Sequence, residues 1–181
     1  MAETLTLRAI ADHLADQDGI ADLQEREARY QRLRAIVQQG MVTSDVEVSK
    51  GKTATFGAVK IAQLRVLQAL MEAGFKGPVL WKFNAHLNKT PITGEAGHQP
   101  GTMIAKAVAG TAAGEDWQLD IRITRRRDAD EPEYLGGLRR ADEPRNPVSD
   151  QILMAGRVLY AAVSLPVSDL IWPVLSVLEA E

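Results

Sequence analysis

The chain has 181 residues, 45% hydrophobic and 25% charged, with no cysteine and a formal net charge of −3, the make-up of one ordinary globular domain or two small ones. The absence of cysteine excludes disulfides, thiolate nucleophiles and thiolate metal ligation. No run reaches the ~18 uncharged apolar residues of a membrane span, and Met1-Ala2-Glu3-Thr4 lacks the basic and apolar regions of a secretion signal, so a cytoplasmic protein with no membrane partner is expected.

The charge is unevenly divided. Residues 1–90 carry 12 Lys and Arg against 10 Asp and Glu, whereas residues 91–181 carry 9 against 14. That asymmetry has the sign expected if the first half meets phosphate and the second meets something else.

In chain order, Leu7, Ile10, Ala11 and Leu14 recur at helical spacing, with Thr4 or Thr6 as N-cap. Asp18-Gly19 interrupts the pattern. Ile20, Leu23, Tyr30, Leu33, Ile36 and Val37 then share one face until Gly40 supplies a C′ position, as one long helix or two with a turn near Asp22. Val46-Glu47-Val48 and Thr53-Ala54-Thr55-Phe56 alternate around Ser49-Lys50-Gly51-Lys52, which predicts a small β-hairpin. Ile61, Leu64, Leu67, Leu70 and Met71 form the apolar stripe of the next helix, ended by Gly74-Phe75, and Pro78 starts a short helix through Leu87.

Residues 90–102 hold two prolines and three glycines and predict a linker. Beyond it, Trp117, Leu119, Ile121 and Ile123 alternate with polar residues, the signature of a half-buried strand. Met103 to Gly110 either pairs with that strand or, given its alanines, forms a helix. Asp128 to Pro147 is charged and proline-bearing and reads as an exposed loop, Val158 to Leu165 as a buried strand, and Ser168 or Asp169 as the cap of a terminal helix through Leu178, in which Pro173 sits awkwardly.

Arg32-Leu33-Arg34-Ala35-Ile36-Val37-Gln38-Gln39-Gly40-Met41-Val42 resembles the second helix and following turn of MerR-type DNA-binding domains, and Phe56 with Ala58 to Phe75 resembles the end of the MerR wing and its next helix. The resemblance covers about the first half of the chain. It implies a winged helix-turn-helix domain over residues 1–89; with the linker 90–102 and, from the patterns beyond it, a small α+β module over 103–181 with a short antiparallel sheet and a C-terminal helix, the chain is expected to be α+β. The function it implies is a transcription regulator of bacterial or phage type, which binds double-stranded DNA as a homodimer and breaks no bond.

On that reading Arg26, Arg29, Gln31, Arg32 and Arg34 belong to the recognition helix, because arginine and glutamine make paired contacts to base edges and phosphate. At 100° per residue Arg29 and Arg32 border the polar face, Arg26 lies within the apolar arc and Arg34 near its edge, so a straight helix cannot offer all four to a groove. Lys50 and Lys52 at the hairpin tip would clamp the flanking backbone. The alternative is a phage-derived adaptor that uses the same unit to pack against protein. The apolar segment Val158 to Leu178, with Trp172, is the expected dimer or protein-partner surface.

His13, His86 and His98 are isolated, and neither HExxH, GxSxG, GxxxxGK[ST] nor GxGxxG occurs, so no catalytic residue, metal or cofactor is expected. Arg125-Arg126-Arg127 and Arg139-Arg140 are interleaved with Asp128, Asp130, Glu131 and Glu133, which reads as a self-neutralising surface.

Overall fold

The computed structural model describes residues 4–46, 53–90 and 101–178. The protein is α+β, and the described residues form seven helices and two antiparallel sheets. The chain divides into two compact units, Met1–Asn84 with Asp169–Glu181, and Ala85–Ser168. The sequence division ran instead through 90–102, most of which lies outside the described residues.

In the first unit, strand β1 (Leu5–Thr6) leads directly into helix α1 (Leu7–Gln17), whose N-cap Thr6 accepts from the Ala9 amide at 3.3 Å. Asp22 caps α2 (Leu23–Gln38) by accepting from the Glu25 amide at 2.8 Å, so the pattern is two helices joined by a turn. Gly40, at φ 74°, ends α2 with its own amide on Val37 and the Met41 amide on Ile36. This double closure is the Schellman geometry that the sequence anticipated, and only glycine adopts it without strain.

Strand β2 (Thr55–Phe56) pairs antiparallel with β1, Leu5 opposite Phe56 and Thr6 opposite Thr55. The sequence did not anticipate β1; two residues are too few to show a period. Thr55 also accepts from the Asp45 amide at 2.9 Å, while the expected hairpin tip with Lys50 and Lys52 lies outside the described residues. Helices α3 (Ala58–Glu72) and α4 (Pro78–Leu87) follow, and Phe56, Leu64, Leu67, Leu70 and Phe83 are fully buried. A polar link crosses this core: the Gln63 amide donates to Asn84 at 2.7 Å, and Asn84 donates to the Met41 carbonyl at 2.9 Å. The backbone after α2 is thereby fixed to α3 and α4, since a buried carbonyl needs a donor.

The second unit carries α5 (Met103–Ala112), β3 (Trp117–Arg126), β4 (Pro132–Arg140), α6 (Pro147–Met154) and β5 (Arg157–Pro166), with strand order β4-β3-β5. The alternatives left open for Met103 to Gly110 resolve as helix, capped by Thr102 on the Ala105 amide. Its small residues allow close approach: a Cβ on Gly110 would stand 2.2 Å from Trp117 Nε1. Two expectations are corrected here. Asp128 to Pro147 contains β4, because nine residues of cross-strand pairing with β3 override the prolines and charges. Val158 to Leu165 is a strand but an exposed one, at the sheet edge opposite the largely half-buried β4.

Helix α7 (Val167–Leu178) starts earlier than Ser168 or Asp169 would cap it. The buried Ser168 hydroxyl serves the sheet instead, accepting from the Trp117 amide at 2.8 Å and meeting Thr111 Oγ1 at 3.0 Å. Pro173 stands inside the helix, and its carbonyl accepts from Gln17 at 2.7 Å and from Ser176 at 2.8 Å. No helix among the described residues is long and apolar enough to cross a membrane.

Candidate nucleic-acid interface

Helix α2 buries Arg29, Leu33 and Ile36 along one stripe. Leu23, counted with the apolar arc in the sequence, is 80% exposed, and Ile20 precedes the helix. Removing both from the arc turns the true buried face toward Arg26 and Arg29. That rotation decides which arginines are available.

Arg29 is 4% exposed. Its guanidinium donates to the Leu14 carbonyl at 2.6 Å and meets Asp18 at 2.6 Å, so it braces the C-terminal end of α1, where backbone carbonyls lack helical partners and favour a cation. Asp18 also holds both bonds of Arg65, each 2.8 Å. Arg26 donates to the Ile20 carbonyl at 2.8 Å and pairs with Asp16. Arg26 and Arg29, expected at a DNA contact, thus have both guanidinium groups partnered within the chain, tying the turn between α1 and α2 to the helices it joins. Arg32 is half-exposed and faces Glu72 at 3.3 Å.

Gln31 and Arg34 are on the exposed face. With Gln24, Glu27 and Gln38, also exposed, they form a stripe at helical spacing. Within it Gln31 donates to Glu27 at 2.7 Å, and Glu27 also accepts from Arg8 at 2.7 Å. Those two hydrogen bonds, Gln31 first, hold the Glu27 carboxyl below its ordinary range. Gln24 and Gln38, outside the expected contacts, join this face by helical spacing alone.

A second concentration of polar groups lies in the sheet unit. A cleft of about 470 Å³ is lined by Asp120, Arg122, Arg139, Arg145 and Asp150 among others. Asp120 accepts from Arg139 at 2.6 Å and meets Arg145 at 2.9 Å, while Arg122 pairs with Asp150 at 2.5 Å. Burial pushes the Asp120 carboxyl up, but the bonds from Arg139 and then Arg145 outweigh it and hold the group below its usual range. Each arginine is thus matched to a carboxylate. Among the described residues no group of three or more His, Asp or Glu side chains is placed to hold a metal ion. No protein-family model matches the chain, and no curated protein matches it either.

Proposed function

We propose that the chain is a DNA-binding regulator of bacterial or phage type, with the α1-turn-α2 segment as a helix-turn-helix and β2 as the base of a wing. The observation that carries the reading is the exposed stripe Gln24, Glu27, Gln31, Arg34 and Gln38 on α2. Glutamine and arginine are the side chains that read adenine and guanine edges in pairs, and glutamate accepts from cytosine. What a helix so equipped can do is bind, without chemistry on the DNA. Arg32 and the tip lysines Lys50 and Lys52 are then left for phosphate.

The test is anisotropy of labelled duplex fragments of genomic DNA. Gln31→Ala with Arg34→Ala should weaken the best site by about tenfold or more, since one paired base contact contributes ~1–3 kcal/mol, and should leave the thermal midpoint unchanged. If Arg32, Lys50 and Lys52 make three phosphate contacts, affinity falls about fortyfold between 50 and 200 mM salt. A double variant that binds like the parent defeats the assignment of α2. The adaptor reading is supported by the exposed Val148, Ile152 and Leu153 of α6; it predicts no binding to DNA at either salt concentration.

A further inference from the structure

The cleft of the sheet unit holds more hydrogen-bond donors than the described residues around it use. Gln118, Asp120 and Arg122 alternate along β3 onto one face of the sheet, and Arg145 and Asp150 reach that face from the start of α6 and the segment before it. Asp120 is saturated: Oδ2 takes Arg139 and Arg145, and Oδ1 accepts from Gln118 at 3.1 Å and Ser164 at 3.3 Å. Arg139 is nearly so, with Nε on Asp120 and Nη1 on the carbonyls of Arg140, Ala141 and Glu143. Arg122 is different. Its side chain is 11% exposed, yet among the described residues its acceptor is Asp150 alone, through Nη2, and Nε and Nη1 have no partner there. In Arg145, Nε and Nη2 both meet the one Asp120 oxygen, which leaves Nη1. A guanidinium sheltered from bulk water keeps donors that need acceptors, and the cleft is where an acceptor can enter.

We propose that this cleft binds a small organic acid, its carboxylate held by Arg122 and Arg145 and its apolar body set against Leu135, Leu138 and Leu153, which line the same space. The volume of about 470 Å³ is that of a small-molecule site. The donors select the head group: a planar anion with two oxygens matches the guanidinium fork, and a charged acceptor bonds roughly twice as strongly as a neutral one. An ammonium group finds no such welcome, since Asp120 is saturated and Asp150 already faces Arg122. Glu143, also in the lining, is exposed; it gives its carbonyl to Arg139 at 2.6 Å, and the field of its carboxylate falls on Arg140. The site lies in the unit to which the DNA reading gives no contact, and it is measured without DNA.

The test follows the isotope-labelled full chain by nuclear magnetic resonance during titration with sodium hexanoate, benzoate and indole-3-acetate to about 10 mM, the range in which molecules of this size bind. At least one acid should saturate, moving the Nε–H signals of Arg122 and Arg145 and the β3 and β4 amides beside them. Hexanamide, hexylammonium and inorganic sulfate at the same concentration should not. Arg122→Gln and Arg145→Gln should each weaken the acid about tenfold or more, through loss of a bond to a charged group. Arg127→Gln, which removes an exposed arginine outside the cleft lining, should leave affinity unchanged. Should Arg122→Gln fail to fold, Arg145→Gln, at a side chain 39% exposed, decides alone. No saturable shift with any of the three acids, hexanamide or sulfate binding as tightly as hexanoate, or an equal loss in Arg127→Gln would each overturn the proposal. A chain that takes up the acid but binds no DNA would sink the function proposed above and leave this inference standing.

Discussion

Each unit sets an aspartate between two arginines, and the two arrangements differ in what the arginines face. Asp18 joins Arg29 and Arg65 at the end of a helix, with Arg29 enclosed among core side chains and bonded to a backbone carbonyl. Asp120 joins Arg139 and Arg145 on a sheet beside an open cleft. The sheltered member differs: at the helix end it is the Arg29 cation, with Asp18 reaching solvent, whereas on the sheet it is the Asp120 carboxylate, with Arg139 and Arg145 reaching solvent. Removing an enclosed cation leaves a cavity and a buried carbonyl that loses a donor, whereas arginines near solvent can be resolvated by water.

Arg29→Ala is therefore expected to have the largest effect: about 3 kcal/mol or more of destabilisation, the range for breaking a buried ion pair from one side, read as a loss of denaturation midpoint. Arg29→Lys should recover only part of it, since an ammonium lacks the fork that reaches Leu14 and Asp18 together. A midpoint close to the parent's would mean that α1 keeps its C-terminal end without this brace. DNA affinity lost in Arg29→Ala would carry no information about contact, because the scaffold presenting α2 is itself weakened.

Asp120→Asn should cost less, about 1–2 kcal/mol near neutral pH, because water from the cleft can solvate Arg139 and Arg145. Its pH dependence sharpens the comparison. The folded-state pKa of Asp120 lies below its unfolded value, so its contribution is fully present above the unfolded value of about 4 and disappears as pH falls through the folded value. Asp120→Asn should flatten part of the acid limb of the stability profile. Some slope should remain, because Glu133, held low first by Arg157, and Asp142, held low first by Arg140, titrate in the same direction. An acid limb identical to the parent's would detach Asp120 from that titration.

Much of the scaffold was legible because its cues are local. Thr6, Gly40 and Gly74, the stripe from Ile61 to Leu70 and the alternation from Trp117 to Ile123 act over one or two turns or one strand, and each appears where such spacing puts it. What was illegible depends on distant partners. Strand β4 exists because β3 pairs with it, and two-residue β1 because Thr55 and Phe56 lie opposite. The site suffered most from this. The buried face of α2 includes Arg29 and leaves Leu23 exposed, while Arg34 stays on the exposed face. No spacing rule signals that an arginine will be buried, since the carboxylate and carbonyl that permit it lie 11 and 15 residues away in sequence.

Arg32 and Arg34 provide the smallest expected effect on stability. Both stand on α2 within five residues of Arg29, so composition and helix propensity are matched and the environment alone differs. Arg32 faces the half-exposed Glu72 across 3.3 Å, a pair of the kind that contributes ~0–1 kcal/mol and is screened by salt. Arg32→Ala should move the midpoint by no more than about 0.5 kcal/mol, and less at high salt. Arg34→Ala should be indistinguishable from the parent in stability. DNA affinity should invert the ranking: Arg34→Ala should lose sequence preference, because a base contact specifies, whereas Arg32→Ala should weaken all sequences alike, because a phosphate contact does not. If both variants weaken every sequence equally, α2 lies along the backbone rather than in the groove, and the stripe from Gln24 to Gln38 is a solvated face.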